Sequence, residues 1–253
     1  MALDQGKIEI TKSNGIATLE FFHPLSNSLP SNLLAQLHES IITLGSDNST
    51  KVIIMKSSGE RAFCAGASFD ELLSIQDKET GKDFFSGFAR VINAMRKCPK
   101  FILGRIHGKT VGGGVGLAAA MDYCFATNYA SIKLSELSIG IGPFVIGPVV
   151  IRKIGVAAFS ELSIQATEWK SPKWAKEKGL YSEVFDTTEM MDQAIELLAT
   201  RLAKSNPEAM TKMKAMFWQG TENWDNLLNQ QAAMSGELVL SEFTRKSLQS
   251  FKK

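Results

Sequence analysis

The chain has 253 residues, 44% of them hydrophobic, with 28 basic against 26 acidic side chains and a formal charge of +2. That length and apolar content support one large domain or two small ones around a substantial core. The near-balance of charge gives no electrostatic ground for nucleic acid or an anionic membrane as partner, and no apolar run approaches the ~20 residues that span a bilayer.

The opening "MALDQGKIEI" lacks the apolar centre of a secretory signal. "KIEITKSNGIATLEFF" alternates apolar and polar residues on both sides of "SNG" and predicts a hairpin. "LPSNLLAQLHESIITLG" then carries Leu33, Leu34, Leu37, Ile41 and Ile42 at helical spacing, with a proline and Ser31 at its start and a glycine at its end. "KVIIMKS" reads as a strand. A loop "SGERAFCAGAS" leads to a short helix at "FDELLSIQ", and "DKETGKDFFSGFARVINAMRKCP" to a longer amphipathic one closed by Pro99. "FILGRI" is the next strand, followed by the glycine-rich "VGGGVGLAAAMDY" opening a helix of small residues. Strand "YCFAT" and an apolar segment "SIGIGPFVIGPVVIRKIG" complete the centre of the chain. From about Ser160 the spacing is almost entirely helical, and "WKSPKWAKEKGL" reads as an exposed helix face. Strands alternating with helices imply an α/β fold with a parallel sheet. No internal repeat of 20 to 50 residues is visible.

Cys64, Cys98 and Cys124 form no C-x-x-C pair and have no histidine cluster nearby, so neither a disulfide framework nor a metal site is expected, and a reducing cytoplasm fits. "GKT" at Gly108–Thr110 follows a strand, but a phosphate-binding P-loop needs a further glycine where Leu103 stands. A dinucleotide fingerprint fails as well, because its third glycine falls on Leu117. Glycines after a buried strand can instead bring backbone N–H groups at a helix start close to a ligand; tight helix packing explains the same residues. "AFCAGASFDEL" repeats the arrangement of strand, glycine and helix start. Backbone N–H groups of Ala67 and of the 112–114 glycines could therefore face one oxygen that gains negative charge.

Four segments, in this order and spacing, resemble the enoyl-CoA hydratase/isomerase or crotonase family: "HPLSNSL", "AFCAGASFDEL", "IHGKTVGGGVGLAAAMDYCFAT" and "LSELSIGIGPFVIG". The resemblance implies a spiral of ββα units over residues 1–195 and a helical region, 196–253, that makes trimer contacts, commonly in a hexamer built from two trimers. It implies an acyl-CoA thioester as substrate, with coenzyme A entering as part of the substrate and no prosthetic group. Matched by motif, Ala67 and Gly113 would form the oxyanion hole and Glu136 would be the catalytic glutamate. Ser28, Leu29, the loop Ala65, Gly66, Ala67, Ser68, Phe69 and Asp70, the glycines Gly112, Gly113 and Gly116, and Pro143 would line the substrate groove.

Departures from the family pattern steer the chemistry. Hydratases of the family carry a first glutamate where Gly116 stands, and Ser68 and His107 replace an aspartate and an asparagine. Hydration divides its proton transfers between two carboxylates, whereas one carboxylate can move a double bond by taking a proton at C2 and returning it at C4. Double-bond isomerisation is the preferred reading. A hydratase, hydrolase or decarboxylase using another pocket group is the alternative, with Asp70 and Glu71 the nearest replacement carboxylates; a non-catalytic acyl-CoA-binding paralogue is the rival class. Asp122 and His107 read as structural residues, and Cys64 as packing.

Overall fold

The computed structural model describes residues 6–250. The first five residues of the amino-terminal segment and the last three of the helical run lie outside the described residues. The hairpin forms where alternation predicts it: β1 (Lys7–Ser13) and β2 (Ile16–Phe22) pair antiparallel from Lys7↔Phe22 to Ser13↔Ile16. Asn14 and Gly15 at its tip have φ of 51° and 81°, a two-residue turn whose twist matches that of the strands. Helix α1 (Ser31–Ser46) follows and buries Leu33, Leu34, Leu37 and Ile41 along one stripe.

The chain then makes one move three times: a strand in a large sheet, a short strand in a small sheet, and a helix. The first pass is β3 (Val52–Ser57), β4 (Ala62–Cys64) and α3 (Lys78–Lys97), with a short α2 (Phe69–Ser74) interposed. The second is β5 (Phe101–Ile106), β6 (Lys109–Val111) and α4 (Gly113–Ala120). The third is β7 (Tyr123–Thr127), β8 (Ile132–Lys133) and α5 (Gly147–Ile164). A last strand, β9 (Glu183–Phe185), gives the large sheet the order β1-β2-β3-β5-β7-β9, while the small sheet runs β4-β6-β8, all parallel. This is the spiral of ββα units the resemblance implies. It leaves no period in the sequence because its helices differ in length, α3 having 20 residues and α4 eight.

Three features differ from expectation. The small sheet's strands have two or three residues each, too few for a period of two to show, and neither β6 nor β8 is among the strands expected above. The segment read only as apolar divides: its residues 138–146 finish a 3₁₀ turn and form a loop, and only from Gly147 does it fold as α5, with a break at Gly155 (φ 78°, ψ 161°). The stretch after Ser160, read as almost entirely helical, contains β9, a three-residue edge strand with the same limitation.

Helices α6 (Pro172–Glu177), α7 (Thr188–Ala203), α8 (Pro207–Phe217), α9 (Trp224–Leu238) and α10 (Glu242–Ser250) make up the rest. The central strands are buried on both faces, as a covered parallel sheet requires. Val52, Ile54, Leu103 and Phe125 meet Met191, Ile195 and Ala199 of α7, so the expected division near residue 195 falls inside a helix that packs on the sheet. Helix α8 is tied down by a buried ion pair. Asp122 accepts hydrogen bonds from the Ile102 N–H at 2.7 Å and from Lys214 Nζ at 2.9 Å, and Lys214 also donates to the Lys100 carbonyl. Asp122 is thus the structural residue it was read to be. Helix α9 lies directly against α3: a Cβ on Gly81 would stand 2.9 Å from the Gly236 Cα.

Candidate active site

The small sheet sets the site's geometry. Cys64, Thr110 and Ile132 stand in one row across its strands, and the residues three or four positions further on are Ala67, Gly113 and Glu136. Parallel strands in register deliver their following loops to the same edge. Residues far apart in sequence therefore meet over one cavity.

The cavity holds about 150 Å³ and is lined by Ala65, Gly66, Ala67 and Phe69 of the first loop, Val111, Gly112 and Gly113 of the second, and the Ser135–Ile146 region of the third. Phe84, Phe85 and Phe88 of α3 and Ser235 of α9 close it. Among the described lining residues, Glu136 is the one ionisable side chain.

The Ala67 loop is held by backbone. The Leu29 N–H donates to the Gly66 carbonyl at 2.8 Å and the Ser68 N–H to the Leu29 carbonyl at 3.3 Å, while the Ala65 N–H donates to the Ser26 carbonyl. Asn27 fixes the supporting turn from within, its amide donating to the carbonyls of Ser58 and Ala62 and its Oδ1 accepting from the His23 N–H. Among the described residues the N–H groups of Ala67 and Gly113 have no acceptor. The two loops are adjacent, since a Cβ on Gly66 would lie 3.6 Å from the Gly113 nitrogen. Gly113 begins α4, so its N–H lies at the positive end of that helix. A Cβ on Gly113 would fall 2.3 Å from the Phe88 ring; only a bare backbone lets the phenyl ring and this N–H share the wall.

Glu136 opens a 3₁₀ turn (Glu136–Ile139) after β8. The residue keeps partial exposure, but its Oε2 is buried without a hydrogen-bond partner among the described residues. Burial pushes its carboxyl up to about 7, while its own backbone N–H pulls weakly the other way. Gly112 makes room for it: a Cβ there would stand 2.9 Å from Oε1, and its φ of 53° with ψ of −120° suits glycine.

Other residues singled out from the sequence are placed elsewhere. Gly116 does not line the cavity; its Cα faces Ile146, and a Cβ on it would stand 2.4 Å from Ile146 Cγ2. Ser28 and Leu29 are buried behind the Ala67 loop, supporting it without lining the cavity. Ser68 is buried and caps α2, its Oγ accepting from the Glu71 N–H. Asp70 is exposed on α2, away from the lining. Pro143 does line the cavity. His107 is buried with both ring nitrogens unpartnered among the described residues, and burial holds it down at about 4, so the ring is neutral near pH 7 and lies outside the cavity. Cys64 is fully buried and its thiol is pushed up to about 12, which makes it packing rather than a nucleophile.

Glu71 turns away from the cavity as well. Its Oε2 accepts from the Ser31 N–H at 2.9 Å and the Ser31 hydroxyl at 2.7 Å, capping α1, which has no side-chain cap of its own. Glu71→Ala is therefore expected to cost about 1.5–3 kcal/mol in denaturant unfolding, as loss of hydrogen bonds to a charged group does. The catalytic rate constant should stay within about threefold; a much larger fall would make Glu71 the second carboxylate after all.

The sequence reading missed the apolar walls. Phe84 and Phe88 carry a usable signal, the four-residue spacing on an amphipathic helix, but that spacing marks a buried face without saying that a cavity adjoins it. Phe144 and Ile146 stand in the quoted "LSELSIGIGPFVIG", which marks the segment without saying that these two side chains wall a cavity, and Ser235 carries no local signal.

The family model for enoyl-CoA hydratase/isomerase matches residues 11–253. A methylglutaconyl-CoA hydratase of Rattus norvegicus is 34% identical over 200 residues, covering 78% of this chain and 63% of the rat protein. The peroxisomal Delta(3,5)-Delta(2,4)-dienoyl-CoA isomerase of Arabidopsis thaliana is 28% identical over 211 residues, covering 78% of this chain and 74% of that protein. The crystal structure of an enoyl-CoA hydratase from Bacillus halodurans shares the fold with a TM-score of 0.89 at 20% identity, covering 96% of this chain and 99% of that one.

Proposed function

Because the chain belongs to the enoyl-CoA hydratase/isomerase family, whose members act on acyl-CoA thioesters, we propose that it moves a double bond along an enoyl-CoA, with Glu136 as the one proton carrier. The observation that carries this reading is the solitary Glu136 carboxylate in an otherwise non-ionisable cavity, with the Gly116 position filled by Ile146.

In this reading the thioester oxygen lies between the Ala67 and Gly113 N–H groups. Glu136 takes a proton from C2 of a 3-enoyl thioester, the electron pair shifts toward the carbonyl, and the resulting dienolate oxygen accepts both N–H groups. Fixed dipoles in a dry site stabilise that charge without reorganising. The proton now on Glu136 returns to C4, leaving the 2-enoyl thioester and the original carboxylate. A carboxyl near 7 suits both halves of the cycle, because it is a stronger base than an exposed glutamate yet still releases its proton.

A substrate panel of 3-enoyl and 2-enoyl CoA esters with product identification tests the reading. Conversion of the 3-enoyl ester to its conjugated isomer is expected, and turnover confined to hydration of the 2-enoyl ester would overturn it. Hydration is the second reading, favoured by the Ser135 and Ser235 residues at the cavity wall, whose hydroxyls could hold a water.

A homotrimer, or a hexamer of two trimers, belongs to the same proposal. Tyr129, Leu137, Val156, Ile164 and Phe243 are more than half exposed and offer apolar surface to such contacts. Light scattering should give a mass near three or six times the 27.7 kDa of the chain; a monomer would remove this part of the reading. No helix among the described residues is long and apolar enough to cross a membrane.

A further inference from the structure

We infer that Ile146 sets the length of acyl group the cavity accepts, limiting it to short chains of about six carbons or fewer. The inference rests on the reading that this cavity takes the acyl part of a CoA thioester. Ile146 is almost wholly buried, 3% exposed, and lines the cavity. Its Cγ2 and Cβ stand 2.4 and 2.7 Å from where a Cβ on Gly116 would lie, so its branched side chain fills the room left by the missing one. The backbone behind it is fixed: Ile146 precedes α5, and its carbonyl accepts from the Val150 N–H in the first turn. Phe84, Phe88 and Phe144 bound the same space.

The remaining volume, about 150 Å³, is the size at which an apolar protein cavity accepts one six-carbon ring. The Ala67 and Gly113 loops and Glu136 line this same volume, so the whole acyl chain, its first carbons included, must fit inside it. While room remains, each methylene strengthens binding about fourfold. Beyond it, further carbons meet Ile146 and its neighbours, and overpacking reverses the gain.

Titration calorimetry with butanoyl-, hexanoyl-, octanoyl- and decanoyl-CoA tests this. These esters are saturated and do not react, so the result is independent of whether Glu136 shuttles a proton; failure of the isomerase reading shows instead in turnover of the 3-enoyl panel. Affinity of the native protein should rise from butanoyl to hexanoyl and then fall about tenfold or more at octanoyl, the reverse of the fourfold gain per methylene expected in an open groove. Ile146→Ala removes three carbons from the space beside Gly116 and should move the optimum to octanoyl. Ile146→Val, a change that folded cores tolerate at about 0.5–1.5 kcal/mol, should narrow the octanoyl penalty to about threefold and keeps the test decisive if the alanine variant does not fold. A native profile that keeps tightening to decanoyl, or folded variants with an unchanged profile, overturns the inference.

Discussion

Glu136→Gln is expected to lower conversion of a 3-enoyl-CoA to its 2-enoyl isomer by about 10³-fold or more, within the 10²–10⁴-fold that a positioned acid–base group contributes and at its upper end because both proton transfers use the same group. Glutamine keeps the shape of the side chain and can still occupy the space beside Gly112, but it neither takes nor returns a proton. Absorbance of the conjugated thioester gives the rate directly, and a residual rate within tenfold of the native enzyme would place the proton on another group.

The same carboxyl makes activity and stability move in opposite directions with pH. The base form is needed, so kcat/KM should rise with pH through a midpoint near 7, where burial has placed the group. For stability, the folded-state value lies above the 4.5 of an unperturbed glutamate, and the folded protein therefore holds its proton more tightly than the unfolded chain. Below about 4.5 both states are protonated and the group costs nothing. As pH rises from 4.5 through 7 the unfolded chain ionises first, and native stability declines by on the order of 3 kcal/mol. Glu136→Gln has no such titration. Its stability relative to the native enzyme should be higher at pH 8 than at pH 4.5 by about that amount, read from urea midpoints at the two pH values.

How much of this was legible in the sequence depends on how far each feature depends on distant residues. The hairpin, α1 and α3 carry their own periodicity, turn residues and end signals, and they stand where those signals place them. The loops around Ala67 and Gly113 were recognisable because a backbone that must approach a ligand needs small residues in a fixed order. The strands that bring the loops together were not, because β6 and β8 are two or three residues long and owe their existence to pairing with each other. Glu136 was legible as a residue, and its apolar flanks, "SIKLS" and "LSIGIGPF", pointed to a raised proton affinity; the burial that produces it comes from the surrounding walls. Gly116 was legible as a departure, and the sequence placed it in the substrate groove; only the fold shows that Ile146, thirty positions on, occupies its space.

That occupancy makes Gly116→Glu the second large effect. A glutamate at 116 alone should not create a hydratase. Its Cβ would fall 2.4 Å from Ile146 Cγ2 and 2.7 Å from Ile146 Cβ, on a helix whose neighbouring positions are all buried. Overpacking costs about 1–3 kcal/mol, and an unpaired buried carboxylate adds several more, so a loss of about 4 kcal/mol or more in unfolding free energy is expected. Cutting Ile146 to alanine in the same chain removes the tighter contact, that with Cγ2, leaves the 2.7 Å contact with Cβ to be relieved by a small backbone shift, and opens the wall toward the cavity that Glu136 already faces. Gly116→Glu combined with Ile146→Ala should recover part of the overpacking cost and raise hydration of a 2-enoyl-CoA by about 10²-fold over the native protein, the scale of one added acid–base group. The two carboxylates would then titrate as a coupled pair, one pushed up by the charge of the other, which splits acid from base between them. Native-like stability together with new hydration in Gly116→Glu alone would show that Ile146 does not hold that space, and with it the steric reason for assigning this site a single proton carrier would fall.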